Sequence, residues 1–210
     1  MIESNDCIMV VDGSFIPGTG IATAPWVMAS ATGPVQAIGY SRLPGGDHDN
    51  DPYRAEIYGL CLGLTFLQVL HSHKPNLSGK VTISCDNNEA LRRGMEYELW
   101  PKTQSSHFDI LSTLPHLRRS LPLRFIPQEV KGHQDSKSNE PLTRLEELNV
   151  IADEAARTLA YQIERRHHIQ QDLPSYMHQW QILLDSKVIK KKCGRKSRSL
   201  YLEDNSSHTG

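Results

Sequence analysis

The stretch Cys7-Ile8-Met9-Val10-Val11-Asp12-Gly13-Ser14 decides how the rest of the chain is interpreted. Its apolar run, followed at once by a turn-forming Gly-Ser pair, predicts a strand buried on both faces in the middle of a sheet. Asp12 stands at the end of that strand, where sites in α/β sheets usually form. Asp-Gly pairs are also common in turns, so Asp12 taken alone is equally consistent with a turn residue. Whether Asp12 is a site residue or a turn residue depends on whether other carboxylates lie at comparable positions in the sheet.

Length and composition favour one globular domain with an appendage. The 210 residues are 38% hydrophobic and 22% charged, which is typical of soluble proteins. No apolar run approaches the ~20 residues of a membrane span, and residues 1–6 lack the basic flank and apolar core of a secretory signal. The four cysteines, Cys7, Cys61, Cys85 and Cys193, lack metal-type spacing and favour buried free thiols in a reducing compartment. We therefore expect an intracellular protein.

Charge is unevenly distributed along the chain. Residues 187–198 carry seven basic residues and no acidic one: Lys187, Lys190, Lys191, Lys192, Arg195, Lys196 and Arg198. Without them, 16 basic residues stand against 24 acidic ones, a net charge of about −8. Such a run can hold a polyanion electrostatically, and it is equally consistent with a merely solvated tail. Before it, the pattern predicts a small helix or hairpin around residues 180–189, and after it a disordered end.

Two further segments predict strands joined to the first one by short turns. Residues 21–29 are largely apolar, although Pro25 argues against a long uninterrupted ladder there. Residues 35–42 alternate between apolar and polar side chains, with Ile38 and Tyr40 among the apolar ones. Together with the first strand they predict an antiparallel meander of three strands.

A long helix begins near Tyr53, where the apolar spacing becomes helical and Pro52 suits the first position. Glu56 falls on the same side as Leu60 and Leu67, so it heads the stripe that faces the sheet. A carboxylate in that position is costly unless it is paired, protonated or bound to a metal. The competing interpretation is a glutamate that the helix dipole favours near the N-terminus.

A fourth strand repeats the arrangement of the first. Residues 81–85 form an apolar segment that ends on Asp86. The long helical segment between the two strands fits a crossover connection, which makes them parallel neighbours. Asp12 and Asp86 are then expected side by side at one edge of the sheet. Asn87 or Asn88 can instead cap the short helix that follows, which is the structural alternative for this polar cluster.

The rest of the domain predicts two helices and a fifth strand. Residues 108–120 have helical spacing that Pro115 limits or kinks. Residues 123–130 form the strand, which Pro127 is expected to break. The last helix is predicted over residues 143–165 and carries Asp153.

Five short motifs, taken in order, resemble the motif blocks of the ribonuclease H family. They are Val10-Val11-Asp12-Gly13-Ser14, Tyr53-Arg54-Ala55-Glu56, Ser84-Cys85-Asp86-Asn87, Val130-Lys131-Gly132-His133 and Leu148-Asn149-Val150-Ile151-Ala152-Asp153. No single motif is specific, but five in the correct order over residues 7–163 are. The second and fifth motifs are most similar to ribonuclease H domains that accompany the reverse transcriptases of retroelements.

The resemblance implies a fold and a domain arrangement. The fold is the α/β ribonuclease H-like fold, a five-stranded mixed sheet of three antiparallel strands plus parallel strands, flanked by helices. Residues 1–166 would form the ribonuclease H-like domain and residues 167–210 a partly disordered C-terminal extension. The resemblance also makes a reverse transcriptase domain or polyprotein an expected partner of a monomeric chain.

The resemblance further implies an endoribonuclease that hydrolyses the RNA strand of RNA–DNA hybrids with two Mg²⁺ ions, for which Mn²⁺ can substitute. Such chemistry requires several oxygen ligands around ions ~3.5–4 Å apart, and carboxylates select Mg²⁺ or Mn²⁺ over softer metals. By resemblance, Asp12 bridges both ions, Glu56 and Asp86 hold one, and Asp153 holds the other. His133 would move a proton during water activation or product release. Without the resemblance, His133 is typical of an ordinary loop histidine.

The sequence departs from the family pattern in three places. The interval from His133 to Asp153 is long, which implies an enlarged loop over residues 134–142. Pro52 and Tyr53 replace the polar residues with which bacterial members contact RNA 2′-hydroxyls, so recognition of the RNA strand is less firmly supported than metal binding. No basic, Trp-rich helix follows the fourth strand, and the candidates in its place are Arg92, Arg93, Lys102 and the basic tail.

Two other functions stay open. A catalytically decayed, retroelement-derived module would bind nucleic acid without cutting it, although all four carboxylates and the histidine are present. Transposases, integrases and exonucleases share the fold with a different reaction. The Lys-Gly-His motif together with Asp153 favours ribonuclease H over those groups.

Overall fold

A mixed sheet with helices on both faces forms the framework of the protein. The computed structural model describes residues 2, 6–45, 48–95, 105–132, 141–166, 183–184 and 187–188. The six strands of the sheet are β1 (Cys7–Val11), β2 (Ser14–Ile16), β3 (Ile21–Ser30), β4 (Val35–Arg42), β5 (Gly79–Cys85) and β6 (Leu123–Glu129). The helices are α1 (Pro52–His73), α2 (Asn88–Met95), α3 (Phe108–Leu111), α4 (Thr113–Arg119) and α5 (Arg144–Arg166).

The pairing of the strands confirms the predicted topology. β3 pairs antiparallel with both β1 and β4, which forms the expected meander. β1 pairs parallel with β5, and β5 pairs parallel with β6. The crossover through α1 therefore brings the ends of β1 and β5 to the same edge of the sheet, as the sequence predicted.

β2 is a strand that the sequence did not predict, and it continues the line of β1 along β3. The pairings of β1 and β2 with β3 follow one register, in which Asp12 stands opposite Pro25. The Asp12 N–H donates to the Pro25 carbonyl at 3.4 Å, but Pro25 has no N–H to return to Asp12. The ladder therefore breaks at Asp12 and Gly13. The prediction that Pro25 would prevent a long uninterrupted ladder is confirmed on the side of β1 and β2, although β3 itself runs for ten residues through the proline. The break predicted at Pro127 is wrong, because β6 runs from Leu123 to Glu129.

The two faces of the sheet carry different helices. Met9 and Val11 of β1 belong to the core shared with α1, whereas Val10 packs with Leu148 and Ala152 of α5. Alternate side chains of a strand point to opposite faces, so β1 is buried on both. This double burial is the physical reason for its uninterrupted apolar sequence.

Local sequence signals explain where the long helices begin. Asp51 caps α1, since its Oδ1 accepts a 2.7 Å hydrogen bond from the Arg54 N–H and Pro52 occupies the first turn. Thr143 and Glu146 form a capping box before α5, where Glu146 Oε2 accepts from the Thr143 N–H at 2.7 Å. These caps determine the start of the two helices that carry acidic site candidates.

The helix predicted over residues 108–120 is divided into α3 and α4 at Ser112. Proline has no N–H for a helical hydrogen bond, and its ring clashes with the carbonyl four residues earlier. For Pro115 that carbonyl belongs to Leu111, the last residue of α3. The break therefore lies one turn before the proline that causes it.

The cysteines and the tail agree with the sequence expectations as far as the structure reaches. Cys7, Cys61 and Cys85 are buried free thiols, and Cys193 lies outside the described residues. In the tail, β7 (Leu183–Leu184) pairs antiparallel with β8 (Lys187–Val188), so these four residues form a hairpin rather than a helix. The domain boundary after residue 166 stays a prediction. No helix among the described residues is long and apolar enough to cross a membrane.

Candidate active site

Two aspartates follow the ends of neighbouring parallel strands. Val10 of β1 pairs with Ser84 of β5, so Asp12 and Asp86, each two residues further on, arrive at the same level. Asp12 is buried, and its Oδ1 accepts a 2.7 Å hydrogen bond from the Gly13 N–H. Asp86 is half-buried. The structure thus brings together the two aspartates that the sequence placed side by side.

Glu56 reaches the same point from α1. Gly13 packs directly on this helix, because a Cβ built at Gly13 would lie 2.7 Å from the Glu56 backbone nitrogen. The missing side chain lets the end of the strand and the helix approach closely, and the Glu56 and Asp12 carboxyls lie near enough to affect each other's pKa. Glu56 is buried and lies beyond the first turn of α1, which has no acidic residue. Its position therefore argues against a simple helix-dipole role.

Burial and neighbouring charges raise the pKa values of two carboxyls of the site, those of Asp12 and Glu56. Burial, together with the charges of Asp86 and Asp153, raises the pKa of Asp12 to about 7. Burial and the charges of Asp12 and Asp86 raise the pKa of Glu56 well above its usual value. Each carboxyl therefore resists ionisation until a proton or a cation supplies positive charge.

Asp153 of α5 stands at the rim of this cluster. Its charge contributes to the raised pKa of Asp12, so the two carboxyls lie within electrostatic reach of each other. Asp153 Oδ2 pairs with Arg157 at 2.7 Å, with the Asp153 side chain 19% exposed and the Arg157 side chain 52% exposed. Such a surface pair is worth at most about 1 kcal/mol, so Arg157 is a weak competitor for the carboxylate.

Cys85 is a member of the site that the sequence interpretation missed. Its buried thiol donates a hydrogen bond to Glu56 Oε2 at 3.3 Å. Glu56, Cys85 and Asp86 each offer a donor atom, and these atoms all lie within 4.8 Å of one another. A period-2 argument could have found it, because Cys85 shares the face of Ile83, which packs in the α1 core.

The chain after β6 passes close to Asp86. A Cβ built at Gly132 would clash with Asp86 Oδ2, so a side chain at this position would displace the Asp86 carboxylate. The next residue, His133, lies outside the described residues, as does most of the predicted long loop. The placement of His133 and its proton-transfer role stay predictions.

The basic residues proposed to contact nucleic acid are only partly described. Arg92 and Arg93 lie on α2, which follows Asp86, and both pair with Glu89 at 3.0 and 3.1 Å. Their side chains are 46% and 36% exposed, so both remain on the surface. Lys102 lies outside the described residues. Asn87 caps this helix, since its Oδ1 accepts a hydrogen bond from the Ala90 N–H at 3.0 Å. The sequence had left open whether Asn87 or Asn88 would form this cap.

A buried ionic network fixes the helix that carries Glu56. The Arg54 side chain has no exposed surface and donates two hydrogen bonds to Asp109, at 2.9 and 2.6 Å. The imidazole of His107 lies between Asp51, 2.9 Å from its Nε2, and Arg54, 3.5 Å from its Nδ1. Local sequence patterns contain no signal for these contacts, because the partners are more than 50 residues apart.

Solved structures of ribonucleases H share this fold. A ribonuclease H1 isolated from compost by a metagenomic approach is 16% identical in sequence, and the match covers 76% of this chain and 99% of that one with a TM-score of 0.56. The N-terminal ribonuclease H domain of a Mycobacterium tuberculosis protein, solved as a fusion with maltose-binding protein, is also 16% identical, with 73% and 97% covered and a TM-score of 0.50. No family model and no curated protein matches the sequence. The likeness to these solved structures confirms the fold that the sequence motifs imply.

Proposed function

We propose that this protein is an endoribonuclease that hydrolyses the RNA strand of RNA–DNA hybrids with divalent cations held by Asp12, Glu56, Asp86 and Asp153. The observation that carries the proposal is the convergence of Asp12, Glu56 and Asp86 at one end of a ribonuclease H-like sheet, with Asp153 near enough for its charge to raise the pKa of Asp12. The likeness to ribonucleases H supports the reaction class only through the fold, so the site chemistry provides the rest of the support.

The residues present fit a hard divalent cation, Mg²⁺ or Mn²⁺. Carboxylate oxygens are the ligands that these ions prefer. Two of the carboxyls, on Asp12 and Glu56, are buried and have raised pKa values, and bound cations would offset the burial and the mutual repulsion that raise these values. When bound, such cations activate a water molecule and stabilise the leaving oxygen of a phosphodiester.

The protein holds its inner, buried carboxylates rigidly and leaves its outer, partly exposed carboxylates accessible. Asp12 and Glu56 are the inner pair, and Asp86 and Asp153 are the outer pair. Asp12 is oriented by the Gly13 N–H, and the helix carrying Glu56 is held by the buried Arg54–Asp109 pair. Asp86 and Asp153 keep part of their surface exposed, which leaves a side for the substrate phosphate to enter. Fixed inner ligands with an open outer side suit a catalytic metal centre.

A partner, a location and a role for the basic tail remain predictions from the sequence. The residues of the second and fifth motifs support a reverse transcriptase as partner. The buried free thiols support an intracellular location. The basic tail supports electrostatic contact with the hybrid. Replacing its lysines and arginines with serine should then flatten the salt dependence of hybrid binding.

The deciding experiment is cleavage of a labelled RNA–DNA hybrid, beside duplex RNA and duplex DNA, by the wild type, Asp12→Asn and Glu147→Gln. Glu147 is a control, because it is a half-exposed carboxylate of α5 paired with Arg144 outside the site. We expect the wild type and Glu147→Gln to cut the RNA of the hybrid. Asp12→Asn should be slower by about 100-fold or more, since a metal ligand contributes several kcal/mol to the transition state.

Two results would contradict the proposal in different ways. Binding of the hybrid without cleavage in either Mg²⁺ or Mn²⁺ would indicate the decayed nucleic-acid-binding module. Cleavage of duplex DNA in preference to the hybrid would indicate one of the other reactions found on this fold.

A further inference from the structure

We propose that Glu56, Cys85 and Asp86 form a binding site for a thiophilic divalent cation, Zn²⁺ or Cd²⁺, inside the acidic site. Binding of the cation follows from the donor atoms alone. Its consequence, competition with Mg²⁺ at shared ligands, rests on the proposed function.

The geometry of the three donors supports the site. Their donor atoms lie within 4.8 Å of one another, and Cys85 Sγ is 3.3 Å from Glu56 Oε2. They come from two elements that the core fixes in place, α1 and the end of β5. Glu56 and Cys85 are buried while Asp86 is half-buried, so the ion has an entrance on the Asp86 side.

Cys85 differs in its surroundings from another buried cysteine of the protein. Cys61 lies deep between α1 and α3, where its thiol donates to the Ile110 carbonyl at 3.8 Å. Cys85 instead contacts a carboxylate that the protein already places for cation binding. This difference makes Cys61 a matched control for a cysteine that is buried but has no metal role.

The chemistry of sulfur determines which cation is selected. Carboxylates alone favour Mg²⁺ or Mn²⁺, whereas an added thiolate favours Zn²⁺ and the still softer Cd²⁺. On binding, the S–H bond of Cys85 breaks, its proton leaves to solvent, and one metal–sulfur bond forms without any change in oxidation state. Three protein ligands leave one position of a tetrahedral ion open for water. Because Glu56 and Asp86 are then occupied, Mg²⁺ is excluded from them.

The test measures the cadmium–thiolate charge-transfer absorbance during a Cd²⁺ titration of the full chain. All proteins carry Cys193→Ser, which removes the thiol of the basic tail. We expect the absorbance to saturate at one Cd²⁺ per chain, to disappear on addition of Cys85→Ser and to persist on addition of Cys61→Ser. Glu56→Gln, which keeps the thiol, should lower the Cd²⁺ affinity by about tenfold or more.

Absorbance that persists in Cys85→Ser, or that is absent from the folded Cys193→Ser protein at excess Cd²⁺, would overturn the inference. Circular dichroism checks the folding of each variant. Should Cys85→Ser fail to fold, unchanged affinity in both Glu56→Gln and Asp86→Asn would refute the site equally. A second arm measures Zn²⁺ inhibition of hybrid cleavage at fixed Mg²⁺, which Cys85→Ser should weaken about tenfold. A wild type that binds Cd²⁺ but cuts no hybrid would refute the proposed function and leave this inference intact.

Discussion

Removing the carboxylate of Asp109 should destabilise the protein severely. The Arg54 guanidinium has no exposed surface and depends on Asp109 for two of its hydrogen bonds, at 2.9 and 2.6 Å. Its Nε has no hydrogen-bond partner in the described part of the chain. Asp109→Ala therefore leaves a buried and largely uncompensated charge, which costs about 3–5 kcal/mol. That is a large fraction of the roughly 5–15 kcal/mol that stabilises a typical domain.

Urea unfolding followed by circular dichroism measures the loss. Glu89→Ala is the matched control, because it removes the 51% exposed carboxylate that pairs with Arg92 and Arg93 and should cost about 1 kcal/mol or less. The double variant Arg54→Leu/Asp109→Leu should recover part of the loss, since neither charge remains. An Asp109→Ala protein no less stable than the Glu89→Ala control would refute the reasoning that the buried pair holds α1.

Three more predictions concern the acidic site. Without divalent cations, the free energy of unfolding should fall as the pH rises from about 4 to 7, because Asp12 keeps its proton until about pH 7 in the folded protein and loses it near pH 3.8 in the unfolded chain. Asp12 accounts for roughly 4 kcal/mol of this fall. Urea unfolding at several pH values should show a smaller dependence of stability on pH for Asp12→Asn. Mg²⁺ should raise the melting temperature of the wild type and not of Asp12→Asn, since binding to the folded state alone stabilises it; an equal rise in both would contradict the metal site. Gly13→Ala should cost about 1–3 kcal/mol in urea unfolding, because its Cβ would overpack against Glu56.

The apolar patterns of the sequence predicted the elements that the core buries most completely. β1 and α1 were predicted because each buries a face whose spacing is visible within one segment. The parallel placement of Asp12 and Asp86 followed from a rule about crossover connections rather than from any contact. These features are predictable because local sequence and global topology agree.

What the sequence did not predict depends on contacts between distant segments. The Gly13-Ser14 pair indicated the end of β1, but the return of the chain to β3 as β2 depends on a partner strand and was not predicted. The pairing of Arg54 with Asp109 joins helices whose relative placement only the fold determines. Cys85 was taken as one more buried thiol, although its strand face already pointed toward Glu56.

The dispersal of the four carboxylates along the chain has a consequence during synthesis. Asp12, Glu56 and Asp86 leave the ribosome before α5, the helix that carries Asp153 and covers Val10 and Val27 of the sheet. A nascent chain that lacks this helix exposes one apolar face of its sheet and has an incomplete set of acidic ligands. The proposed nuclease therefore lacks its complete set of acidic ligands until translation has passed α5.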